Sequence, residues 1–354
     1  MIDYYQSLIG NKMRKGFNAT RHQPIKNSVA QHRVIIPLYI PHENEYYSDA
    51  FKIFELCIKS IGNSSTALTP ITVIANGCSQ EVHQKLLNLV SNQFINELIV
   101  ETAQIGKVNS IRKAILASEE EFLTITDGDV LFLKDWDASV AQVFNSFPKA
   151  TAVAPVPIHK TFNQFVSNIW FDYLFSDNIA FAKTKNPEAL ERFVQSIGWP
   201  HLNEHQKLEI LTLKAKNGTE AVVGCSHFCT TYRRDVFKFS PLKSTKFTLG
   251  GDSEKMYLDL PSIQSNGYRL STAQNHAYHL GNKFEPWMQE EFNRIQQQKK
   301  RIVNWPKMKS LKKSTFRFYL KNRIFKKLLS YFNFYNAYLN KCGINKKWAH
   351  KYYK

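Results

Sequence analysis

The sequence predicts an α/β protein with a mostly parallel central sheet flanked by helices. Three features carry that expectation: short continuous apolar runs suited to buried strands, longer stretches with apolar residues at helical spacing, and brief polar links that join the two in alternation through the first half.

Residues 1–31 mix Asn, Gln, His and basic residues without periodicity and read as an N-terminal extension. Val34, Ile35 and Ile36 form the first apolar run, ended by Pro37, as a buried strand emerging into a loop would be. Phe51, Phe54, Ile58 and Ile61 share one helical face, with Gly62 as a stop signal. A second strand follows over 71–75, ending in Asn76 and Gly77, and Val82, Leu86, Leu89, Val90 and Phe94 mark a helix over 80–94. A strand over 97–100, a helix over 110–118 and a strand over 122–126 complete a doubly wound unit. The second half is less regular: 152–157 is strand-like, 162–175 aromatic-rich, 187–197 helical and 221–232 extended.

Ligands of such sheets gather at the carboxyl ends of the strands. Those ends carry Pro37 to Tyr39, Asn76 to Ser79, and Asp127 to Asp129, so three loops converge on one expected site.

The chain has 354 residues and a net charge of +18, and 17 of its 47 Lys and Arg lie from Lys299 onward, where there is no Asp or Glu. A near-neutral body with a basic tail suggests docking on an anionic surface. Five scattered cysteines without C-x-x-C spacing suggest neither a disulfide framework nor a zinc site, and are expected to be reduced. No stretch approaches 18 apolar residues and the start lacks a signal-peptide plan, so a cytoplasmic protein is expected.

The run Thr126-Asp127-Gly128-Asp129 sets two carboxylates two residues apart after an apolar strand. In extended backbone both side chains point the same way, so Asp127 and Asp129 can face a single cation, and Gly128 would let a phosphate come close. Hard oxygen ligands suit Mg²⁺ or Mn²⁺, and such an ion would neutralise a departing diphosphate.

This segment resembles the nucleotide-sugar domain of family 2 glycosyltransferases, which have a GT-A fold, over roughly residues 33–281. The opening VIIPLYIPHENE is similar to the family's strand-then-Pro-x-Tyr start, and GKVNSIR, from Gly106 to Arg112, to its G-K-x-x-A-L segment. The resemblance therefore implies donor contacts at Pro37, Tyr39, Lys107, Asn109, Arg112, Asp127 and Gly128. It also places Asn76 where many relatives have a base-reading Asp. GCSHFCTTYRRDVF, over 224–237, resembles the segment leading to the acceptor side. LGGDSE, over 249–254, resembles the loop bearing the catalytic base, which makes Asp252 the expected base and Glu254 the reserve; the family's Glu is replaced here by Gly251. YHLGN, over 278–282, is similar to the segment with the family's late His, an added metal or phosphate ligand, and the resemblance implies His279 as a third metal ligand.

What the resemblance implies is an inverting, metal-dependent transferase with a glycosyltransferase domain over 32–285 and a basic amphipathic helical tail over 286–354. Its donor would be a nucleotide-diphosphate sugar, with UDP-sugars favoured, and its acceptor a glycan or lipid-linked glycan of cell-surface polysaccharide synthesis. In the tail Phe316, Leu320, Ile324, Leu328 and Phe332 recur every four residues, beside Phe325 and Leu329 and among Lys321, Arg323, Lys326 and Lys327. That pattern suits a helix lying on the anionic inner face of the plasma membrane through residues 299–354, or one packed on the domain. Trp170, Trp199, His201 and Trp287 are candidate sugar platforms or core residues. A nucleic-acid-binding tail and a catalytically inactive sugar-binding relative are the alternative readings; the body has no nucleic-acid fold signature, so no nucleic acid is expected.

Overall fold

The computed structural model describes residues 20–24, 30–66, 69–295 and 303–344. Most of the expected N-terminal extension and the last ten residues of the tail lie outside that set. The first half alternates as predicted: β1 (His32–Leu38), α1 (Ala50–Ser64), β2 (Ile71–Asn76), α2 (Gln80–Ser91), β3 (Glu97–Glu101), α3 (Lys107–Ala117) and β4 (Phe122–Thr126). These are followed by β5 (Val130–Phe132), α4 (Trp136–Ser146), β6 (Ala150–Ala154), α5 (Ser167–Asp172), β7 (Ile179–Lys183), α6 (Pro187–Ser196), α7 (Glu204–Leu208), β8 (Glu209–Lys214), β9 (Glu220–Val223) and β10 (Cys229–Arg233). The remainder contains α8 (Leu260–Gln264), β11 (Tyr268–Thr272), β12 (Ala277–His279), α9 (Pro286–Arg294), α10 (Thr315–Tyr319), α11 (Phe325–Leu329) and α12 (Phe332–Lys341).

Ten strands form one sheet in the order β3-β2-β1-β4-β10-β6-β11-β9-β8-β7, and β12 pairs with β5 in a small second sheet. In the large sheet β1, β2, β3, β4, β6, β8 and β11 run one way, and β7, β9 and β10 run against them. This is the mostly parallel α/β sheet that the alternation predicts. The continuous apolar run in β1 has a plain cause: Val34 and Ile36 enter one core while Ile35 enters the core on the opposite face.

Three boundaries differ from expectation. Pro37 lies inside β1 rather than ending it. Val34 donates its N–H to Pro70 on the β2 side, so by alternation Pro37 faces β4, whose pairing with β1 stops at Ile35, and the missing N–H leaves nothing unpaired. Gly62 lies within α1, with no atom near where its Cβ would be, so the helix runs on to Ser64. The helix expected over 110–118 begins three residues earlier, at Lys107.

The tail is not a separate appendage. Trp305 stacks between His32 and Phe122, with ring centroids 4.6 Å from each. Phe325 meets Phe171 edge-on, Tyr338 donates its hydroxyl to the Trp170 carbonyl at 2.7 Å, and Tyr335 donates to Asn163. Lys321 is buried against Asp172 rather than solvated. The predicted helix is split: Thr315 to Leu329 is helical with a wide turn at Leu320–Ile324, and α12 follows separately. Only one face packs, so Phe325 and Leu329 are buried while Phe316, Ile324 and Leu328 stay exposed; the side chain of Phe332 is outside the described set.

A stability prediction follows from that packing. Leu339 is fully buried, and Leu339→Ala is expected to cost about 2–5 kcal/mol, as truncated core leucines do. Denaturant unfolding with fluorescence detection checks it; a midpoint equal to wild type would mean that the tail does not belong to the folded unit.

Candidate active site

β4 delivers Asp127 to the carboxyl edge of the sheet, where its N–H donates to the Phe228 carbonyl at 2.7 Å. The residues after Thr126 turn rather than stay extended, unlike the strand geometry expected from the D-x-D spacing, and the two carboxylates have different nearest partners. Asp127 Oδ1 is 2.6 Å from Lys107 Nζ, and Asp129 Oδ2 is 3.4 Å from His279 Nε2. Lys107 also acts on Asp129, so the two carboxylates share its field while differing in nearest partner.

His279 is well held. It sits on β12 opposite Val130, and its Nδ1 hydrogen-bonds Ser196 at 2.9 Å, which leaves Nε2 for Asp129. Asp129 Oδ1 is buried without a hydrogen-bond partner, a vacancy in bonding that a cation would fill. Burial raises the Asp129 pKa and Asp127 adds to the rise, outweighing His279 and Lys107. Among the described residues no three His, Cys, Asp or Glu side chains form a ready metal cage. Magnesium-type sites need no such cage, since one or two carboxylates plus substrate phosphates suffice. The chemistry of the residues present therefore fits a divalent ion that arrives with its phosphate ligand.

Lys107 opens α3, and its N–H donates to the Thr248 carbonyl at 2.9 Å. Gly106 before it has φ +95°, and a Cβ there would lie 2.8 Å from the Phe247 carbonyl, so only glycine allows the 247–248 backbone to pass so close. Burial alone would lower the Lys107 pKa, but Asp127 and Glu254 more than offset it and raise the value overall. Glu254 Oε1 is 3.9 Å away, so Lys107 bridges the β4 carboxylate and the loop after residue 249.

Several expected donor contacts are otherwise engaged. Asn109 donates to Ile105 and Thr245 carbonyls and accepts from the Thr245 N–H, and Arg112 donates to the Leu242 and Lys243 carbonyls. These two residues hold the 242–251 loop against α3 rather than facing a phosphate. Asn76 is buried and accepts the Ile105 N–H at 2.8 Å, which fixes the same region from below. Gly128, expected to admit a phosphate, makes room for packing instead: a Cβ there would press on Phe54 and Leu38 at 3.1 and 3.3 Å. Pro37 and Tyr39 stand at the end of β1, with the Tyr39 ring edge-on to Tyr47 at 5.9 Å.

Beyond Lys107, Gly250, Gly251 and Asp252 have φ values of +71°, +58° and +61° in succession. A Cβ on Gly251 would lie 2.5 Å from the Phe247 ring. A side chain at this position has no space unless Phe247 moves, which accounts for Gly251 beside Asp252. The Asp252 side chain is 70% exposed and 3.6 Å from Lys255, whereas Glu254 is 10% exposed and accepts from Ser253. Asp252 is the one non-glycine of the three, and left-handed non-glycine residues concentrate at functional sites.

Asp252 and Glu254 line a cavity of about 830 Å³. Its wall contains residues that local sequence patterns do not mark. His227 hydrogen-bonds Asp259 at 3.2 Å, and Asp259 is ion-paired with the buried Arg269. Burial would raise the Asp259 pKa, but Arg269 and His227 hold it below the usual carboxylate value. Phe165, with φ +55°, also faces the cavity, a rare conformation for a bulky side chain. Trp170, Trp199, His201 and Trp287 do not line it. The only sequence signal for His227 was its place in the 224–237 segment; its partner is 32 residues away.

No family model matches the chain, and no curated protein does. Solved structures do resemble it. A mannosyltransferase, PcManGT from Pyrobaculum calidifontis in complex with GDP-Man and Mn²⁺, matches at 16% identity and a TM-score of 0.37 over 68% of this chain and 54% of that one. TarS from S. aureus matches at 11% identity and 0.44 over 75% and 38%, and GalNAc-T7 with UDP, GalNAc and Mn²⁺ at 10% and 0.45 over 75% and 47%. The chain thus spans about half or less of each of these three chains. Likeness of this degree says nothing of substrate, metal or mechanism here.

Proposed function

We propose that this chain is a glycosyltransferase that moves a sugar from a nucleotide-diphosphate donor to an acceptor hydroxyl, with inversion at the anomeric carbon. The observation that carries the reading is the junction at Lys107, where the Asp127 carboxylate at a sheet's carboxyl edge meets a strained carboxylate loop beside a large cavity. A divalent ion, Mn²⁺ or Mg²⁺, held by Asp127 and Asp129 with His279 behind, would supply positive charge to the diphosphate.

The chain's own groups do the rest. Lys107 supplies a fixed cation beside the phosphates, and Tyr39 offers a ring at the end of β1 for the nucleobase. Asp252 accepts the acceptor's proton as its oxygen bonds to the anomeric carbon and the bond from that carbon to the diphosphate oxygen breaks. The electron pair of that bond leaves with the nucleotide. Asp252 suits this task better than Glu254, because Glu254 is buried against Lys107 and Ser253 while Asp252, beside Lys255, is the more exposed of the two in the cavity wall.

An assay of UDP-, GDP- and other nucleotide sugars, with Mn²⁺ or Mg²⁺ and with chelator, tests the reading. Turnover of at least one donor that stops on chelation is expected. Folded protein that turns over none, with either metal, would refute it.

The exposed side of the tail suits the cytoplasmic face of an anionic membrane: Phe316, Tyr319, Ile324, Leu328 and Tyr331 lie exposed among Arg317 and Lys327. Co-sedimentation with vesicles containing an anionic lipid is expected, weakened by Ile324→Glu with Leu328→Glu. Equal recovery in the supernatant with anionic and neutral vesicles would contradict it.

A further inference from the structure

The cavity next to Asp252 is shared between two distant parts of the chain. One side is the catalytic loop with Asp252, Glu254 and Lys255, and the other is the tail, which contributes Asn322, Arg323 and Lys326. The charges on these walls do not cancel. Asp252 is beside Lys255 and Asp259 beside Arg269, while Glu254 shares Lys107 with Asp127. Among the described residues, neither Arg323 nor Lys326 has a carboxylate within ion-pairing distance. Two cations are therefore left over at the tail side of the cavity.

A second, independent feature lies in the same wall. Asn322 is 8% exposed, and its Nδ2 donor is buried without a hydrogen-bond partner. An unpaired buried donor is costly, and a group that accepts from it would remove the cost. Two unpaired cations and a free amide donor describe a receptor for an anion with several acceptor oxygens. A phosphate group, which arginine grips with its planar fork and lysine as a point charge, meets that description.

We propose that the acceptor carries a phosphate group, bound by Arg323, Lys326 and Asn322, so that the tail selects the acceptor whose hydroxyl Asp252 activates. The inference rests on the glycosyltransferase reading for the role of the cavity, but the binding it requires can be measured without turnover. The phosphate belongs either to a phosphodiester-linked polymer or to a diphosphate-linked lipid. Both present the same chemistry to these side chains.

Calorimetry on the full chain tests it with three probes: a glycerol phosphate oligomer, a short-chain polyprenyl diphosphate sugar in detergent, and an uncharged oligosaccharide of similar length. Wild type is expected to bind one of the two phosphorylated probes at least about tenfold more tightly than the neutral one, and which one it binds identifies the source. A tenfold preference is about 1.4 kcal/mol. Arg323→Glu with Lys326→Glu is expected to abolish the preference, while Lys312→Glu with Lys313→Glu, the same charge change away from the cavity, preserves it. Binding by wild type should also weaken as salt rises.

The proposal is overturned if wild type shows no preference, if the cavity variant keeps it, or if the control variant loses it equally. Should preference and its loss both appear in protein that consumes no nucleotide sugar, the anion site stands and the transferase reading falls. Should nucleotide sugar be consumed without any such preference, the reverse holds.

Discussion

Asp127→Asn is expected to lower the rate of sugar transfer by at least about 100-fold, the scale seen when a group that stabilises charge in a transition state is removed. The substitution keeps the shape of the side chain and removes its charge, so two things are lost together. One is the proposed ligand for the divalent ion; the other is the partner that Lys107 contacts at 2.6 Å. Lys107 would then be left with Glu254 at 3.9 Å as its near carboxylate. Initial rates of nucleotide release across metal concentrations check the prediction. A variant with wild-type rates at saturating Mn²⁺ would show that Asp127 is not part of the donor centre.

Asp252→Asn is expected to have an effect of a different kind. Removing a general base costs about 10²–10⁴-fold in rate, and donor binding should be unchanged if Asp252 serves the acceptor as proposed. Glu254→Gln should instead weaken donor binding through Lys107, so the two neighbouring substitutions are expected to divide between rate and affinity. Kinetics with both substrates varied, beside nucleotide binding, separates them. If Glu254→Gln lost rate with intact donor affinity while Asp252→Asn stayed active, the base would be Glu254, two residues further on.

Much of the first half was legible because its physics is local. Strands buried on both faces need continuous apolar runs, and β1, β2 and β4 show them; α1 and α2 have amphipathic spacing that any chain segment reveals. The order of the second half was not legible. β10 inserts antiparallel between β4 and β6, and β5 and β12 are only three residues each, so no periodicity develops. Pairings of that kind are decided by contacts far apart in sequence.

The candidate site was legible in the same uneven way. Asp127, Lys107, Asp129 and His279 do come together at the carboxyl edge of the sheet. Asn109 and Arg112 lie close by but support a loop, because a polar residue opening a helix has the same sequence signature whether it meets a phosphate or a backbone carbonyl. The tail poses that ambiguity on a larger scale. A row of apolar residues every four positions fits a lipid surface and a protein surface equally, and the structure splits the row between the two. His227, Arg323 and Lys326 gain meaning only from the cavity they share.

Metal-linked nucleotide binding tests the central claim most directly. Titration of the protein with UDP and GDP, in Mn²⁺ and in chelator, is expected to show binding of at least one nucleotide that requires the metal and disappears in the Asp127→Asn, Asp129→Asn double variant. Nucleotide binding that is equally tight in chelator, or that survives intact in the folded double variant, would contradict a metal centre at the end of β4.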